Sequence, residues 1–388
     1  MNLHEYQSKQ LFQRYGIPIP EGELVNTARD ARAKAEQLGG HCWVVKAQVH
    51  TRGRGRVGGI VVANSLDKVE STATELLGRR LITKQTGPNG RPIENLLIEK
   101  CIDISQELYL ALLVDRSRER IVVIVSKSGG IPIEELAQKE PEKVHKITTD
   151  LVMGLQPSHC RRLAYEFGLT AEQMNQLRDI MMKLYQLFLE TDLTVLEINP
   201  LAISDQGDLV AVDAKLDVDD NSLFRQTFLS EWRDYEQEDA REYQAQKIGF
   251  QYVSLKGNIG CIVNGAGLAM ATTDLIKMHG AEPANFLDLG GVVEESVVQE
   301  AVHLLISDNQ VKSILVNVFG GIVRCDVIAS GILSAIVKYS IQLPWVMRFH
   351  GNGAEEAIAI IESSPYDIRI VSDLDEAAKT IIRTTSRL

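Results

Sequence analysis

The chain has 388 residues, more than a single hydrophobic core usually serves, so we expect two or three domains. Its 41 basic and 52 acidic residues give a net charge of −11, which argues against a general nucleic-acid or anionic-membrane surface. The polar, helical start lacks a signal region, and no apolar run approaches the roughly 18–20 residues that span a bilayer, so we expect a cytoplasmic protein.

The first half of the chain mixes helices with antiparallel hairpins, which is an α+β pattern. Apolar spacing and capping residues predict helices at residues 2–15, from the Asn26-Thr27 cap to Leu38, and at 137–144, 159–167 and 171–190. Apolar runs bounded by turn residues predict strands at 43–49, 60–62, 96–101, 107–114 and 121–126. We place this first domain at residues 1–240.

A strongly charged stretch, residues 230–247, connects this half to a regular alternation of strand, glycine-bearing turn and helix. Strands are predicted at 259–263, 285–289, 313–318, 345–349 and 368–371. Helices are predicted at 269–279, 296–306, 326–339, 354–363 and 374–383. This alternation is typical of an α/β doubly wound parallel sheet, and we place that second domain at residues 241–388.

A loop that we call the flap, residues 50–59, joins two predicted strands and contains four glycines and three arginines. Glycine lets backbone amides approach phosphate oxygens, and arginine adds charge-assisted hydrogen bonds. The flap opens no helix and has no Gly-Lys-Ser/Thr, so it is neither a P-loop nor a dinucleotide fingerprint. It predicts a cover for nucleotide phosphates, with Lys46 as a nearby point charge. The alternative is a flexible surface hairpin.

The turn residues at 205–207 predict a β-hairpin within residues 193–216, with Gly207 in the left-handed conformation. In this register Asn199 lies opposite Asp213 and Glu197 opposite Lys215, and all four side chains share one face. A hard cation such as magnesium takes few ligands from protein and the rest from water and phosphate, which suits Asn199 and Asp213. The alternative is a Glu197–Lys215 pair on a solvated face.

Three predicted strand ends in the second domain are rich in glycine, and each precedes a helix: residues 264–267, 290–291 and 320–323. Ligands collect at the carboxyl edge of such sheets, where free amides and the helix dipole favour an anion. The pattern predicts a carboxylate or phosphate site, with a bound dinucleotide as the alternative. Plain turn chemistry explains any one of these turns by itself.

The chain shows no obvious nucleophile. No Ser-His-Asp or Cys-His arrangement is legible, and the eight histidines stand apart. Five scattered cysteines without metal spacing indicate reduced core thiols: Cys42, Cys101, Cys160, Cys261 and Cys325. A second polypeptide that supplies the reacting group would explain the gap.

Several motifs carry a resemblance to a known family. They are MNLHEYQSKQLF, VVKAQVH followed by GRGR, ELYLALLVDR, LEINPL, SLFRQ, GNIGCIVNGAGLAM, PANFLDLGG and VNVFGGIVRCD. Together they resemble the β subunits of the succinyl-CoA synthetase (ADP-forming) family, acid–CoA ligases with an ATP-grasp domain. The resemblance runs end to end. It implies an α+β ATP-grasp domain followed by an α/β flavodoxin-like CoA-ligase domain.

The resemblance also implies a partner, cofactors and site residues. The partner is an α subunit, in an αβ or α2β2 assembly, that carries CoA and a phosphorylated histidine. The cofactors are Mg²⁺ and ATP or ADP as substrate, with GTP or GDP as the alternative. The implied nucleotide ligands are Lys46, Gly53, Arg54, Gly55, Glu99, Glu107 and the backbone of Ile102. The implied metal ligands are Asn199 and Asp213, and Glu197 supports the phosphohistidine. The implied acid or phosphoryl ligands are Asn264, Gly321, Ile322 and Val323.

This chain departs from the family pattern at the flap and at the second domain's turns. Thr51, Arg52 and Arg56 stand where the family commonly has alanine, glycine and lysine. Added charge favours tighter phosphate binding, and a lost glycine favours a stiffer flap. Other departures are Val292 and Glu294, in place of glycine and threonine, and His350, in place of a frequent acidic residue.

The resemblance therefore implies the β subunit of a succinate–CoA ligase, and the charge and the absence of an apolar span predict that it binds neither nucleic acid nor membrane. A malate–CoA ligase β subunit shares many of the motifs and is one alternative. A non-catalytic nucleotide-binding subunit is a second alternative, which the altered flap favours and the intact Lys46, Glu197, Asn199 and Asp213 oppose. A dinucleotide-dependent oxidoreductase is a third, and it lacks the Gly-x-Gly-x-x-Gly turn.

Overall fold

The computed structural model of the protein describes residues 1–83, 85–87, 89–291 and 294–387. The chain divides into unit 1, Met1–Gln237, and unit 2, Glu238–Leu388. The division falls inside the charged stretch at residues 230–247, close to the predicted one after residue 240.

Unit 1 contains the antiparallel hairpins and helices of an α+β domain. Its strands are β1 (Gly22–Val25), β2 (Trp43–Ala47), β3 (Ile60–Ala63), β4 (Arg80–Leu81), β5 (Arg91–Pro92), β6 (Leu96–Lys100), β7 (Ile104–Asp115), β8 (Arg120–Ser126), β9 (Val144–Thr148), β10 (Leu193–Ser204), β11 (Leu209–Ala211) and β12 (Lys215–Val218). Its helices are α1 (Glu5–Arg14), α2 (Ala28–Leu38), α3 (Leu66–Leu76), α4 (Ile133–Lys139), α5 (Pro157–Glu166), α6 (Ala171–Glu190) and α7 (Thr227–Ser230).

Two larger sheets organise unit 1. The first has four strands in the order β1-β6-β2-β3, and α2 and α3 cover one of its faces. The second has the order β11-β10-β7-β8-β9, with β12 also paired to β10, and packs against α5 and α6. Helix α6 begins at a capping box in which Thr170 and Gln173 bond each other's backbone, and its apolar stripe fills the core of this sheet.

Unit 2 is a doubly wound sheet, as the sequence predicts. Its elements are α8 (Ala240–Ile248), β13 (Gln251–Ser254), β14 (Ile259–Val263), α9 (Ala266–Met278), β15 (Asn285–Asp288), α10 (Glu295–Ile306), β16 (Ser313–Gly320), α11 (Cys325–Tyr339), β17 (Trp345–Gly351), α12 (Ala354–Glu362), β18 (Ile368–Ile370) and α13 (Leu374–Thr385). The strand order is β13-β15-β14-β16-β17-β18, and separate apolar cores fill the two faces.

Several predicted elements differ from the observed ones. Helix α4 ends at Lys139 rather than Val144, because Pro141 follows and residues 144–148 pair with β8 as edge strand β9. Helix α3 and strand β13 were not predicted. Since β13 pairs antiparallel with β15, one edge of the otherwise parallel sheet is antiparallel. Among the described residues no helix is long and apolar enough to cross a membrane.

The prediction of five reduced cysteines is wrong for two of them. Strand β2 pairs with β6 so that Trp43 lies opposite Lys100, which places Cys42 beside Cys101. The amide of Cys101 donates to the carbonyl of Cys42 at 3.1 Å, and the two sulfurs form a disulfide. The residues are 59 apart in sequence, and spacing alone gave no signal for the pairing. Cys160, Cys261 and Cys325 are free and buried, as predicted.

Candidate functional site

The first sheet of unit 1 presents a lysine and a glutamate on the face opposite its apolar core. Val45 on β2 belongs to the core under α2 and α3, so its neighbour Lys46 points to the other face. Val44 lies opposite Glu99 in the register, which makes Lys46 and Glu99 diagonal neighbours on that face. Both are buried, and Lys46 Nζ lies 2.6 Å from Glu99 Oε2.

Helix α1 covers this face and brings two further charges to it. Glu5 and Lys9 lie one helical turn apart, and Lys9 Nζ is 3.0 Å from Glu5 Oε1 and in contact with Glu99 Oε1. Lys46 Nζ donates to Glu5 Oε1 at 2.8 Å. Both lysines also donate to the carbonyl oxygen of Val212, at 2.7 and 2.8 Å. The two lysines therefore share the same three acceptor residues.

Ion pairing in this cluster outweighs burial. Burial raises the pKa of the Glu5 carboxyl, yet Lys46, Lys9 and Arg54 hold that pKa well below its usual range. Burial lowers the pKa of Lys46, yet Glu5 and Glu99 raise it above the usual value. Lys46 is therefore charged at neutral pH although its side chain is buried.

The flap folds back onto this cluster. Gly53 has a φ of +71°, a conformation that L side chains rarely adopt, and it starts a short 3₁₀ turn, Arg54–Val57. The Arg54 side chain is buried and donates to Glu5 Oε2 at 2.6 Å and to Asp213 Oδ1 at 3.1 Å. Arg54, expected at the phosphates, thus joins the flap to α1 and to the hairpin.

The predicted hairpin register is observed. The amide of Ser204 donates to the carbonyl of Asp208 at 2.8 Å, and Gly207 has a φ of +89°. Glu197 pairs with Lys215, as predicted, and Leu201 pairs with Ala211. The predicted Asn199–Asp213 position falls in the break between β11 and β12, beside the cis peptide Asn199-Pro200.

The four polar side chains of this face have different partners. Lys215 Nζ lies 3.2 Å from Asp217 Oδ2, whereas Glu197 Oε2 lies 3.0 Å from the guanidinium of Arg52. Burial raises the pKa of Glu197, while Arg52 and Lys215 oppose that rise. Tyr109 on β7 also bonds Glu197, and burial together with that carboxylate raises the pKa of Tyr109.

Asn199 and Glu107 meet at the segment that precedes α4. The Asn199 side chain accepts from the amide of Gly130 at 2.7 Å and donates to the carbonyl of Ile131 at 3.0 Å. The Glu107 carboxylate packs directly against Gly130. A Cβ atom added to this glycine would come within 2.2 Å of Glu107 Oε2, so the approach needs a residue without a side chain. Ile102 lies in the connection between β6 and β7, directly after the disulfide.

In unit 2 the predicted acid-binding residues line a cavity of about 420 Å³ at the carboxyl edge of the sheet. The lining residues are Asn264, Gly265, Leu268, Gly290, Gly291, Phe319, Gly321, Ile322 and Val323. Asn264 joins two strand ends, since its side chain donates to the carbonyl of Phe319 and accepts from the Phe319 amide, both at 2.8 Å. Ile322 is 84% exposed and Phe319 49%, so the cavity is partly apolar and open.

A buried carboxylate, Asp288, shapes this edge. It ends β15 and accepts from the amides of Gly265 and Gly290. The Gly321 amide donates to the carbonyl of Phe319 at 3.0 Å. The amides of Gly265, Gly290 and Gly321, which were expected to face an anion, therefore have acceptors within the protein. An anion at this edge would have to bind the other amides of the turns.

Comparisons with known proteins agree with both units. A family model described as an ATP-grasp domain matches residues 2–203, and one described as a CoA-ligase matches residues 262–382. The β subunit of ADP-forming succinate–CoA ligase from Yersinia pestis (strain Pestoides F) is 48% identical over 382 residues, 98% of each chain. The same-named protein of Yersinia pseudotuberculosis (strain IP 31758) gives the same values. The chain belongs to this β-subunit family.

Membership of the succinate–CoA ligase β-subunit family makes this chain part of a ligase with an ATP-grasp and a CoA-ligase domain. A solved structure agrees on the fold alone. ATP citrate lyase from Methanothrix soehngenii, in complex with citrate and coenzyme A, matches at 16% identity with a TM-score of 0.72. That match covers 98% of this chain and 99% of the other.

The sequence of this β-subunit family member did not predict which of its charged residues are buried. Glu5 and Lys9 sit at i and i+4 of α1, a spacing visible in the sequence, but such pairs usually face solvent. Tyr109 and Asp288 looked like ordinary strand residues. Val292, one of the departures, lies outside the described residues, and Glu294 directly precedes α10.

Proposed function

We propose that this chain is the nucleotide-binding β subunit of an ADP-forming succinate–CoA ligase, active together with an α subunit. The complex interconverts succinyl-CoA, nucleoside diphosphate and phosphate with succinate, CoA and nucleoside triphosphate. In the direction that forms the nucleoside triphosphate, phosphate displaces the CoA thiolate from the thioester and gives succinyl phosphate. The phosphoryl group then passes to a histidine of the α subunit and from there to the diphosphate. The observation that carries the proposal is the contact of the flap with the hairpin, through Arg54–Asp213 and Arg52–Glu197.

The nucleotide lies, in this proposal, between the flap and the hairpin of unit 1. Lys46 supplies a fixed positive charge, and the flap residues Gly53, Arg54 and Gly55 supply amides and a guanidinium. Glu99, Glu107 and the backbone of Ile102 bind the nucleoside. The paired state of Lys46 supports this role, because phosphate oxygens can replace Glu5 and Glu99 as its acceptors.

Asp213 and Asn199 are the proposed protein ligands of Mg²⁺. Among the described residues no group of three or more His, Cys, Asp or Glu side chains is arranged to hold a metal. A magnesium ion therefore needs most of its oxygens from phosphates and water, which is its usual habit. Asp213 fits, because its side chain is 34% exposed and Oδ1 takes the bonds from Arg54 and Ala214. Bound magnesium supplies charge neutralisation for the phosphates.

Glu197 is the proposed support for the phosphohistidine of the α subunit, through a hydrogen bond to its ring. Its burial and its contacts with Arg52 and Tyr109 favour a fixed orientation. The acid or its phosphoryl group lies, in this proposal, at Asn264 and Gly321 and at the amides of Ile322 and Val323. The cavity at these residues supports a small carboxylate.

The test is reconstitution with an α subunit. The chain is expressed alone and with the α subunit, and CoA-dependent turnover is measured with succinate or malate and with ATP or GTP. We expect turnover only in the complex, with succinate preferred, and size analysis then separates αβ from α2β2. Full turnover by the isolated chain contradicts the partner assignment, and a preference for malate favours the malate–CoA ligase reading. A folded complex without turnover favours a non-catalytic subunit.

A second experiment tests the metal ligand. Asp213→Ala should abolish the Mg²⁺-dependent transfer of phosphate from labelled ATP to the α subunit. Asp205→Ala is the matched control, because Asp205 is an exposed residue in the turn of the same hairpin. Normal labelling by Asp213→Ala at an unchanged magnesium requirement means that Asp213 is structural.

A further inference from the structure

The side chain of Arg52 crosses from the flap to the second sheet and ends between two carboxylates. Its guanidinium lies 3.0 Å from Glu197 Oε2 and 2.8 Å from Glu134 Oε1. The Glu197 side chain is 11% exposed and that of Glu134 is 61% exposed. Since solvent weakens exposed ion pairs, the contact with Glu197 is the more strongly coupled of the two.

The backbone around Arg52 is anchored to the connection between β4 and β5. The Arg52 amide donates to Gln85 Oε1 at 2.8 Å, and the hydroxyl of Thr51 lies 2.7 Å from that of Thr83. These contacts fix where the Arg52 side chain starts, so its direction toward Glu197 is set by the closed flap. Tyr109, on the neighbouring strand β7, makes a side-chain hydrogen bond with Glu197.

Because Arg52 belongs to the flap and Glu197 to β10, any movement of the flap away from the second sheet would separate the two side chains. A nucleotide that binds beneath the flap requires the flap to move away from the second sheet during each cycle. A further flap contact, Arg56 with Glu135 at 3.5 Å, joins side chains that are 64% and 52% exposed and contributes little. Among the residues that the structure describes, Arg52 is the flap side chain that contacts Glu197, so closure of the flap acts on Glu197 through this contact.

We propose that Arg52 is a positioning residue that orients Glu197 for the phosphorylated histidine only when the flap is closed. The inference rests on the proposed function, because it assumes that Glu197 faces that histidine. It gives a role to a departure from the family, which commonly has glycine at this position. It also differs from the simpler expectation that Arg52 binds the nucleotide's phosphates.

The two roles predict different kinetics. A phosphate ligand acts mainly on nucleotide affinity, so its loss raises the half-saturating ATP concentration. A positioning residue acts on the reacting geometry, so its loss lowers the maximal rate of phosphoryl transfer. The two quantities are separated by single-turnover labelling of the α subunit at a series of ATP concentrations.

The experiment uses the assembled complex with Arg52→Gly, Arg52→Lys, Glu197→Gln and the double variant of Arg52→Gly with Glu197→Gln. We expect Arg52→Gly to lower the maximal rate roughly tenfold to a hundredfold, with half-saturating ATP within about threefold of the parent. Arg52→Lys should recover part of the rate, because it keeps the charge. Arg56→Gly, which removes one charge from the same flap, should lower the rate by less than about twofold.

The double variant decides whether Arg52 acts through Glu197. Arg52→Gly should add little further loss in the Glu197→Gln background, since coupled residues are not additive. A full additional loss there overturns the inference, as does a raised half-saturating ATP concentration with an unchanged rate. A parent complex that does not label its α subunit overturns the proposed function first. Thermal unfolding of each complex separates loss of fold from loss of rate. If Arg52→Gly unfolds, the same comparison of rate and half-saturating ATP is made with Arg52→Lys.

Discussion

Lys9 holds together the buried charges of unit 1, and Lys9→Met is the sharpest test of that cluster. Three cations (Lys9, Lys46 and Arg54) face three carboxylates (Glu5, Glu99 and Asp213). Methionine has a similar length and apolar character, so the change removes the charge and leaves most of the packing. It leaves the cluster with one excess negative charge.

The expected loss follows from the burial of the partners. The Lys9 side chain is 4% exposed and that of Glu99 is 2% exposed, so after the change Glu99 keeps Lys46 as its cation and solvent does not replace Lys9. Removing one partner of a buried pair costs about 3–5 kcal/mol. The double variant with Glu99→Gln restores neutrality and should lose only about 1–2 kcal/mol, because no unpaired charge stays buried.

Urea unfolding, with hydrogen exchange of the α1 amides as a local readout, measures both changes. Lys9→Ala is a useful comparison, because it adds a cavity to the loss of charge. A loss below about 1 kcal/mol for Lys9→Met, or a double variant less stable than the single one, refutes the reasoning. Either result means that water or a neighbouring group solvates Glu99.

Three further predictions concern His50, the disulfide and Asp288. Burial and the neighbouring His4 lower the pKa of His50 to about 3, against 6.5 when exposed, so stability falls as the pH drops below 6.5. At pH 5 the loss is about 2 kcal/mol relative to pH 8, measured as a shift in the denaturant midpoint, and His50→Gln should remove it. Thiol titration of the unreduced, denatured chain should find three free thiols, and five would contradict the Cys42–Cys101 pairing. Asp288→Ala removes the acceptor that fixes the Gly265 and Gly290 turns, so it should distort the cavity they line, raise KM for the acid and lower the unfolding temperature of unit 2; an unchanged KM separates Asp288 from acid binding.

The hairpin of unit 1 was predictable because its information is local. The turn residues and the alternation of apolar side chains fix the register, and one fixed register places Glu197 opposite Lys215. Helix α6 was predictable for the same reason, since its cap and apolar stripe lie within one stretch. The family resemblance then supplied roles that local patterns do not carry.

The partners of the charged residues were not predictable from the sequence. Arg54 looked like a phosphate ligand on an exposed loop, but its partners Glu5 and Asp213 come from distant parts of unit 1. The Cys42–Cys101 pairing depends on the register of β2 with β6 in the same way. Such contacts are set by tertiary packing, and neither spacing nor composition reports it.

The balance of charges in unit 1 bears on how a nucleotide binds there. Three cations already face three carboxylates, so a triphosphate brings negative charge into a cluster that has no excess positive charge. Phosphates can bind only if they displace carboxylates from Lys46 and Arg54, or if a cation enters with them. Asp213 is the carboxylate best placed for both, because it pairs with Arg54 and keeps a third of its side chain exposed. In the proposed function, the same carboxylate that holds the flap through Arg54 is therefore the one that would bind the cation of the nucleotide.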